Sequence, residues 1–335
     1  MLRRDVLKNW FLLGLAGVIT LAFLAPGWCA SLNPASRTST WAVVLLFFLS
    51  GLNLPSESIR LSARRVRLHV YIQLFIFVVA PLYFGLTSFP FRGTLEGRLI
   101  VGIYALACLP TTVTSCTVFT QLAGGNAALT MLNASLANSV GIIISPLLLS
   151  LLLREAGQAM PVEEITRILI SLLVKMLVPV TCGQLVRRLF ARRASGWRGG
   201  ISVASNALIL LIIYFAFCRS AGSPLFRKHL AALLPVFAYL AGSYLFLVGL
   251  AYTGARLFAF EPENTIAVLF AAPQKTLTMG VPLITTYFAA APESLGLAIL
   301  PILFYHTWQL LISSFLRNAP FVRRLAARAA AAAAH

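Results

Sequence analysis

Long apolar runs alternate with short polar connections along the chain, and this alternation is its strongest pattern. A helix that crosses the hydrocarbon core of a bilayer needs about 20 consecutive apolar residues. Ten runs approach that length, at residues 10–25, 40–54, 69–86, 97–122, 127–153, 165–187, 201–218, 230–258, 264–290 and 295–316. The pattern predicts an all-α polytopic membrane protein with ten transmembrane helices, numbered here as spans one to ten.

Two of these runs are interrupted by a proline followed by polar residues. Span four contains Leu109-Pro-Thr-Thr-Val-Thr-Ser-Cys116, and span nine contains Ala272-Pro-Gln-Lys-Thr-Leu-Thr-Met279. Proline lacks an N–H and clashes with the preceding turn, so each helix should break. The two prolines are 163 residues apart, and each lies in the fourth span of a five-span half. Because five is odd, the halves would insert in opposite orientations, which predicts two inverted repeats with a binding site at the breaks.

The residues at the two breaks predict a site for an anion. Each break exposes the N-terminus of a half-helix, whose unpaired N–H groups attract negative charge, while the freed carbonyls can hold a cation. We predict substrate contacts from polar side chains there and on neighbouring spans: Thr111, Thr112, Thr114, Ser115, Asn133, Gln274, Lys275, Thr276, Thr278 and His306. The alternative is two proline kinks in packing helices, with each hydroxyl bonded to a carbonyl one turn earlier.

Lysine occurs twice inside the predicted spans, as Lys275 beside the second break and as Lys175 in span six. An ammonium at mid-membrane costs about 2.5–3.5 kcal/mol on insertion scales, so Lys275 should face protein or water rather than lipid. Lys175 has no acidic residue near it in the sequence and is expected either to snorkel or to line the cavity. His306 is interpreted as a proton relay with Lys275 or as a hydrogen-bonded core histidine, and Gln309 and Trp308 as packing residues.

Composition and charge support the membrane assignment. Of the 335 residues, 59% are hydrophobic and the mean hydropathy is +0.87, which leaves too few polar residues to cover a soluble domain. The net charge of +18 arises from Lys and Arg residues that flank the spans. Seventeen of them lie on the side of the two termini and eight on the other. By the positive-inside rule both termini are expected in the cytoplasm of a multi-pass inner or plasma membrane protein.

The sequence gives no support for catalysis. It contains no HExxH motif and no pair of aspartates inside the spans, and no nucleophile–base partnership is evident. The five cysteines are odd in number and scattered, which predicts neither a disulfide framework nor a zinc site. We expect no enzyme activity, no nucleic-acid partner and no cofactor, with sodium as the one ion that remains open. The expected partners are a small anionic substrate and the bilayer, with the chain as a monomer or weak homodimer.

A set of short motifs is more specific in its order and spacing than any one of them is alone. They are Asn9-Trp-Phe-Leu-Leu-Gly14, Ser50-Gly-Leu-Asn-Leu54, Leu68-His-Val-Tyr-Ile-Gln73, Gly124-Gly-Asn-Ala127, Gly141-Ile-Ile-Ile-Ser-Pro146, Ile212-Ile-Tyr-Phe-Ala-Phe-Cys218, Gln274-Lys-Thr-Leu-Thr-Met-Gly-Val-Pro282 and Phe304-Tyr-His306. Together they resemble the bile acid:sodium symporter superfamily, in the subgroup of its seventh vertebrate member and bacterial homologues.

This resemblance implies ten spans in two inverted five-span repeats, at residues 1–153 and 162–318, followed by a basic, alanine-rich tail at 319–335 to which no function is assigned. It implies a core domain in which spans four and nine cross at their breaks, beside a panel of spans one, two, six and seven. It also implies secondary transport of an organic anion.

Sodium ligands carry over only in part from the resemblance. The matching residues, which would form a residual sodium site, are Ser115, Thr130 and Gln274. At three other positions the sodium-coupled members have Asn, Thr and Glu, where this chain has Cys116, Ala134 and Phe270. Lys275 stands where those members have an Asn. They also use a glutamine on span three, and Gln73 of this chain lies about one turn away from that position.

These departures lead to a hypothesis about coupling. All nine carboxylates fall in loops or at span ends, so the spans contain a fixed cation but no anion to neutralise Na⁺. We expect the Lys275 ammonium to occupy one sodium site, with transport either uncoupled or linked to the proton that a desolvated amine can release. One alternative is a single sodium held by Ser115, Thr130, Asn133 and backbone carbonyls. Another is a membrane regulator or scaffold that no longer carries solute.

Overall fold

The computed structural model describes residues 10–25, 27–53, 66–91, 97–155, 162–190, 198–221, 230–289 and 291–333. Most of this part of the chain is helical, and no strand occurs in it. The helices are α1 (Trp10–Leu24), α2 (Trp28–Leu32), α3 (Arg37–Asn53), α4 (Val66–Leu74), α5 (Ala80–Thr87), α6 (Gly97–Cys108), α7 (Thr114–Leu122), α8 (Ala127–Glu155), α9 (Val162–Leu189), α10 (Arg198–Ala221), α11 (Leu230–Leu257), α12 (Pro262–Ala271), α13 (Leu277–Tyr287), α14 (Leu295–Leu316) and α15 (Pro320–Ala333). Short 3₁₀ turns cover Pro34–Ser36, Phe89–Phe91 and Pro292–Ser294.

Five helical segments are long and apolar enough to cross a membrane: Val66–Thr87, Ala127–Arg154, Gly199–Cys218, Leu233–Leu257 and Leu295–Leu316. Shorter apolar helices cover Leu13–Leu24, Arg37–Leu52 and Gly97–Cys108. These segments agree with a polytopic helical membrane protein. The count of ten crossings and the inverted repeat remain predictions. The basic head at residues 1–8 lies outside the described residues, as does most of the basic loop at 187–198.

Helix contacts divide the chain into two compact units. The first comprises Met1–Leu54, Met160–Ala231 and Gly280–Leu300, and the second comprises Pro55–Ala159, Ala232–Met279 and Pro301–His335. The first unit therefore holds α1, α3, α9 and α10, at the positions of spans one, two, six and seven. It also takes the later part of α13, which the resemblance does not assign to the panel.

Within the first unit, α3 and α9 pack backbone to backbone. A Cβ atom added at Gly183 would overlap the carbonyl oxygen of Phe48, and one added at Gly51 would overlap that of Val180. Gln184 Nε2 also donates to the carbonyl of Gly51 at 2.6 Å. Small residues that allow such close approach are typical of helix contacts in membranes, so these two glycines fix the distance between α3 and α9.

Within the second unit, both predicted helix breaks are present. Span four divides into α6 and α7, and span nine divides into α12 and α13. The connection after α7 reverses at Gly124, whose φ of +73° favours glycine. The N–H of Asn126 then donates to the carbonyl of Glu263 at 3.1 Å, which ties this reversal to the start of α12.

The described part of the tail forms α15, and the first turns of this helix pack against the rest of the second unit. Val322 and Leu325 on α15 are buried, and the ring of Phe321 lies 5.2 Å from that of Tyr252. Ala326 lies so near Gly124 that an added Cβ there would be 3.1 Å from the Ala326 Cβ. The arginines of α15 are exposed, so its apolar face holds it against the second unit.

The backbone contact between α3 and α9 predicts a large effect for a small substitution. Gly183→Ala should lower stability by about 1–3 kcal/mol because overpacking must separate the two helices. Gly242→Ala on α11 is the matched control, since nothing lies within 4 Å of an added Cβ there. That control should be neutral or slightly stabilising, because alanine favours a helix over glycine by roughly 0.5–1 kcal/mol. The measurement is thermal unfolding in detergent, and equal unfolding temperatures for the two variants would contradict the packing argument.

Candidate functional site

The side chain of Lys275 lies between the two breaks of the second unit and is 1% exposed. Its Nζ donates to three backbone carbonyls, those of Leu109 at 2.8 Å, Ala107 at 2.9 Å and Ile76 at 3.2 Å. An ammonium has three N–H donors, so these carbonyls occupy all of them. We call this arrangement the carbonyl cage.

The cage carbonyls have no helical donors because spans three and four are both interrupted beside Lys275. Residues 75–79 form one π-helical turn, in which the N–H of Ala80 donates to Phe75 rather than to Ile76. The next residue, Pro81, has no N–H, so no helical donor reaches the carbonyl of Ile76. Likewise α6 ends at Cys108 and α7 begins only at Thr114, which releases the carbonyls of Ala107 and Leu109.

Span ten holds the backbone of Lys275 from the other side. Gln309 Oε1 accepts the N–H of Lys275 at 2.8 Å, and Gln309 Nε2 donates to the carbonyl of the same residue at 2.8 Å. His306 Nδ1 lies 2.9 Å from Gln309 Nε2 and 3.3 Å from that carbonyl. The hydroxyl of Tyr305 donates to the carbonyl of Pro273 at 2.9 Å. Three residues of α14 therefore satisfy the non-helical backbone of the second break.

The two breaks also bond directly to each other. The N–H of Thr276 donates to the carbonyl of Pro110 at 2.9 Å. The hydroxyl of Thr276 accepts the N–H of Thr278 at 3.2 Å, as an N-terminal cap does for the first turn of a helix. Thr276 thus joins the breaks through its backbone and starts α13 through its side chain.

A second polar cluster links the start of α7 to Gln274. The hydroxyl of Thr112 donates to Gln274 Oε1 at 2.6 Å, and the hydroxyl of Ser115 lies 3.2 Å from the same oxygen. Gln274 Nε2 donates to the hydroxyl of Ser313 at 3.1 Å, which lies 3.0 Å from the hydroxyl of Tyr244. Ser115 and Gln274, two of the three residues predicted for a residual sodium site, are therefore brought together.

The third predicted sodium ligand is engaged elsewhere. The hydroxyl of Thr130 on α8 donates to Thr120 Oγ1 at 3.1 Å and to the carbonyl of Asn126 at 3.2 Å, so its contacts are those of the reversal after α7. Among His, Cys, Asp and Glu residues of the described chain, no group of three or more is placed to hold a metal ion.

Asn133 belongs to a cluster with span three rather than with Lys275. Its Oδ1 lies 3.0 Å from His69 Nδ1, and its carbonyl accepts Gln73 Nε2 at 3.1 Å. Gln73 Oε1 is buried and has no hydrogen-bond partner in the described chain. This cluster puts polar side chains of α4 and α8 against each other inside the second unit.

The hydroxyls predicted to meet substrate differ in their exposure. Thr111, Thr112 and Thr276 are buried, and the hydroxyl of Thr276 caps α13. Ser115 and Thr278 are half-buried. Thr114, at the N-terminus of α7, is exposed. The carbonyl of Thr111 accepts Asn138 Nδ2 at 2.8 Å, whereas its hydroxyl has no partner within the described residues.

Sequence reasoning missed part of the site. Gln309 was expected to pack, but it holds Lys275; its position one turn after His306 was the available signal. The role of the Ile76 carbonyl could not be predicted from the residue type, because every residue has a carbonyl. Only Pro81, five residues later, indicated that this carbonyl would lack a helical donor. Tyr305 and Ser313, which lie on the same helix as Gln309, were also missed.

The amino-acid sequence matches a known family of transporters. The profile of the SBF-like CPA transporter family matches residues 9–323. The sodium/bile acid cotransporter 7 of Danio rerio is 30% identical over 317 residues, with 93% of each chain covered. That of Rattus norvegicus is 30% identical over 321 residues, covering 93% of this chain and 92% of its own. The protein YfeH of Escherichia coli is 28% identical over 307 residues, with 91% of each covered.

These matches confirm the resemblance to bile acid:sodium symporters and the expectation that the chain is not an enzyme. The profile spans both helix breaks and the lysine between them. The chain belongs to the SBF-like CPA transporter family and is a membrane transporter.

Proposed function

We propose that the chain is a secondary transporter that moves a small organic anion by alternating access without sodium, because the Lys275 ammonium takes the place of a coupling cation. The observation that carries this proposal is the carbonyl cage, in which Lys275 Nζ lies 2.8 to 3.2 Å from three backbone oxygens. Unwound carbonyls at broken helices are groups that coordinate Na⁺ or H⁺ in transporters.

A tethered cation changes how the cage is filled. Sodium enters such a site from solution, so its occupancy follows the sodium concentration. The Lys275 side chain is covalently attached, and its ammonium already uses its three donors in the cage. On this proposal the breaks are held in their binding geometry at every sodium concentration, and transport is uncoupled or uses a proton released from the amine.

The anion would be recognised at the N-termini of the two half-helices, α7 and α13. Helix N-termini present free N–H groups and a positive dipole end. Thr114 is exposed there, and Ser115 and Thr278 are half-buried, so their hydroxyls are the polar side chains that a substrate can reach. Thr111, Thr112, Thr276 and Gln274 are buried; Thr112 donates to Gln274, and Thr276 caps α13.

Sodium symport is the second candidate, and one observation favours it. Ser115 and Gln274 present oxygens 3.2 Å apart, and the relatives from zebrafish and rat carry sodium and bile acid in their names. Thr130 and Asn133 would have to give up their present hydrogen bonds to complete such a site. We favour the uncoupled or proton-linked mechanism because no carboxylate contacts the cage within the described chain, whereas the ammonium fills it.

Uptake of the anion is expected to be independent of sodium. The purified chain in liposomes should take up labelled organic anions, tested as a panel of taurocholate and short-chain carboxylates, equally well in sodium and potassium buffers. The physical reason is that the cage cation is part of the protein. Uptake that disappears when potassium replaces sodium would favour sodium symport instead. A chain that carries no member of the panel in either buffer, and that none of them stabilises against heat, would favour the regulator or scaffold.

Removal of the Lys275 ammonium is expected to make the protein sensitive to sodium. Lys275→Ala leaves three buried carbonyls without donors, at a cost of about 1–3 kcal/mol for each group. It should therefore lower the unfolding temperature, and NaCl should restore part of the loss relative to choline chloride because Na⁺ can enter the vacated cage. Lys275→Met is the matched control, since its side chain fills the space that Na⁺ would need.

The wild-type chain should unfold at the same temperature in both salts. If NaCl stabilised the wild type but not Lys275→Ala, the ammonium would be helping a sodium site rather than replacing one, and the proposed role of Lys275 would be wrong.

A further inference from the structure

We propose that a pocket within the first unit binds a small organic anion with an apolar portion, through the ammonium of Lys175. The pocket is formed by the 3₁₀ turn at Pro34–Ser36, the starts of α3 and α14, the middle of α9, the end of α10 and the end of α13. All of these residues belong to the first unit. The proposal concerns binding and stands whether or not the bound anion is carried across the membrane.

Lys175 is the group that gives this pocket its charge. It lies in the middle of α9 between Val174, which is exposed, and Met176, which is buried, and it is itself half-buried on the pocket wall. None of the described residues that line the pocket is acidic. An ammonium within an apolar span is costly, so it indicates a functional site with a partner for its charge. We infer that this partner is an anion bound in the pocket.

Two further donors face the same space. The hydroxyl of Thr286, at the end of α13, makes no hydrogen bond in the described chain, although the residue is buried. Asn33 is also buried, and its carboxamide is fixed because Nδ2 donates to Ser39 Oγ at 2.6 Å and Oδ1 accepts the N–H of Ser39 at 3.1 Å. A carboxamide nitrogen has two N–H donors, so one of them remains for a ligand.

The backbone of the pocket is strained next to these donors. Ser36 has a φ of +62°, a left-handed conformation that side chains other than glycine rarely adopt. Such conformations gather at ligand-binding sites, where the surrounding structure maintains them. Ser36 lines the pocket beside Asn33, which supports a binding role for this turn.

Part of the pocket lining is apolar. Val43, Phe215 and Leu295 line the pocket and are buried. Binding sites for small molecules combine such walls with a few fixed polar groups. The expected ligand therefore carries one negative charge for Lys175 and a hydrocarbon part for this wall, rather than being an inorganic ion.

Lys175 and Lys275 differ in what their ammonium groups bind. Both lysines lie inside apolar spans, but Lys275 gives its donors to backbone carbonyls. Lys175 has no hydrogen bond or ion pair within the described chain, so its three N–H donors remain for a ligand.

Amine labelling of the full-length chain in detergent tests this proposal. The sequence contains four lysines, Lys8, Lys175, Lys228 and Lys275, and peptide mass spectrometry can follow each separately. Trinitrobenzenesulfonate, itself an aromatic anion, should modify Lys175 and leave the buried Lys275 unmodified. Benzoate should slow modification of Lys175 in a concentration-dependent way, whereas benzamide, which has the same shape without the charge, should not.

Three labelling outcomes would overturn the proposal. The first is equal protection of Lys175 by benzoate and benzamide, and the second is no modification of Lys175. The third is protection by added phosphatidylglycerol but not by benzoate, which would identify the partner as a lipid headgroup. A thermal-shift arm uses the same probe: benzoate should raise the unfolding temperature of the wild type and of Lys175→Arg, but not of Lys175→Gln. A shift that persists in Lys175→Gln would place the benzoate site elsewhere.

Discussion

Backbone carbonyls released by the broken helices must find donors where water is scarce, and the second unit is arranged around this need. An unsatisfied backbone group in a membrane costs several kcal/mol, which is why irregular backbone survives there only inside protein or beside a watery cavity. Around the first break the donors come from four residues, two on α8 and two in the second break. Lys275 serves Ala107 and Leu109, Ser145 Oγ serves Cys108 at 2.7 Å, and Asn138 serves Thr111. Pro110 accepts the N–H of Thr276 from the other break, so the geometry of each break depends on the other.

The same need explains why the fixed cation is a lysine. An ammonium supplies three donors from one point, and the cage offers three acceptors that come from two different spans. A neutral amide in its place could serve at most two of them. Gln309, which accepts from and donates to the backbone of Lys275, then fixes the base of the side chain. The lysine is thereby a structural crosslink between spans three, four, nine and ten as well as a charge.

The two helix breaks and the burial of Lys275 could be predicted from the sequence, whereas the acceptors of the cage could not. Pro110 and Pro273 indicated both breaks, because proline disrupts the interior of a helix. Lys275 was predicted to face protein because lipid would not accept its charge. The cage acceptors were not predictable in the same way, since any residue type can offer a carbonyl. The hydroxyls of Thr112 and Thr276 were predicted to contact substrate, and this stays a prediction. In the structure Thr112 donates to Gln274 and Thr276 caps α13, contacts that residue type alone does not indicate.

The covalent attachment of Lys275 also has an electrical consequence. When transport is uncoupled, this charge stays with the protein through each cycle, so the only charge transferred is that of the cargo. A monoanion then crosses as net negative charge, and a potential of 100 mV is worth about 2.3 kcal/mol for each elementary charge. With a negative cell interior this work favours exit of the anion. A carrier that moves two sodium ions with each monoanion gains from the same voltage on entry, so replacing a dissolved ion by a side chain would reverse the direction in which the membrane potential drives the solute.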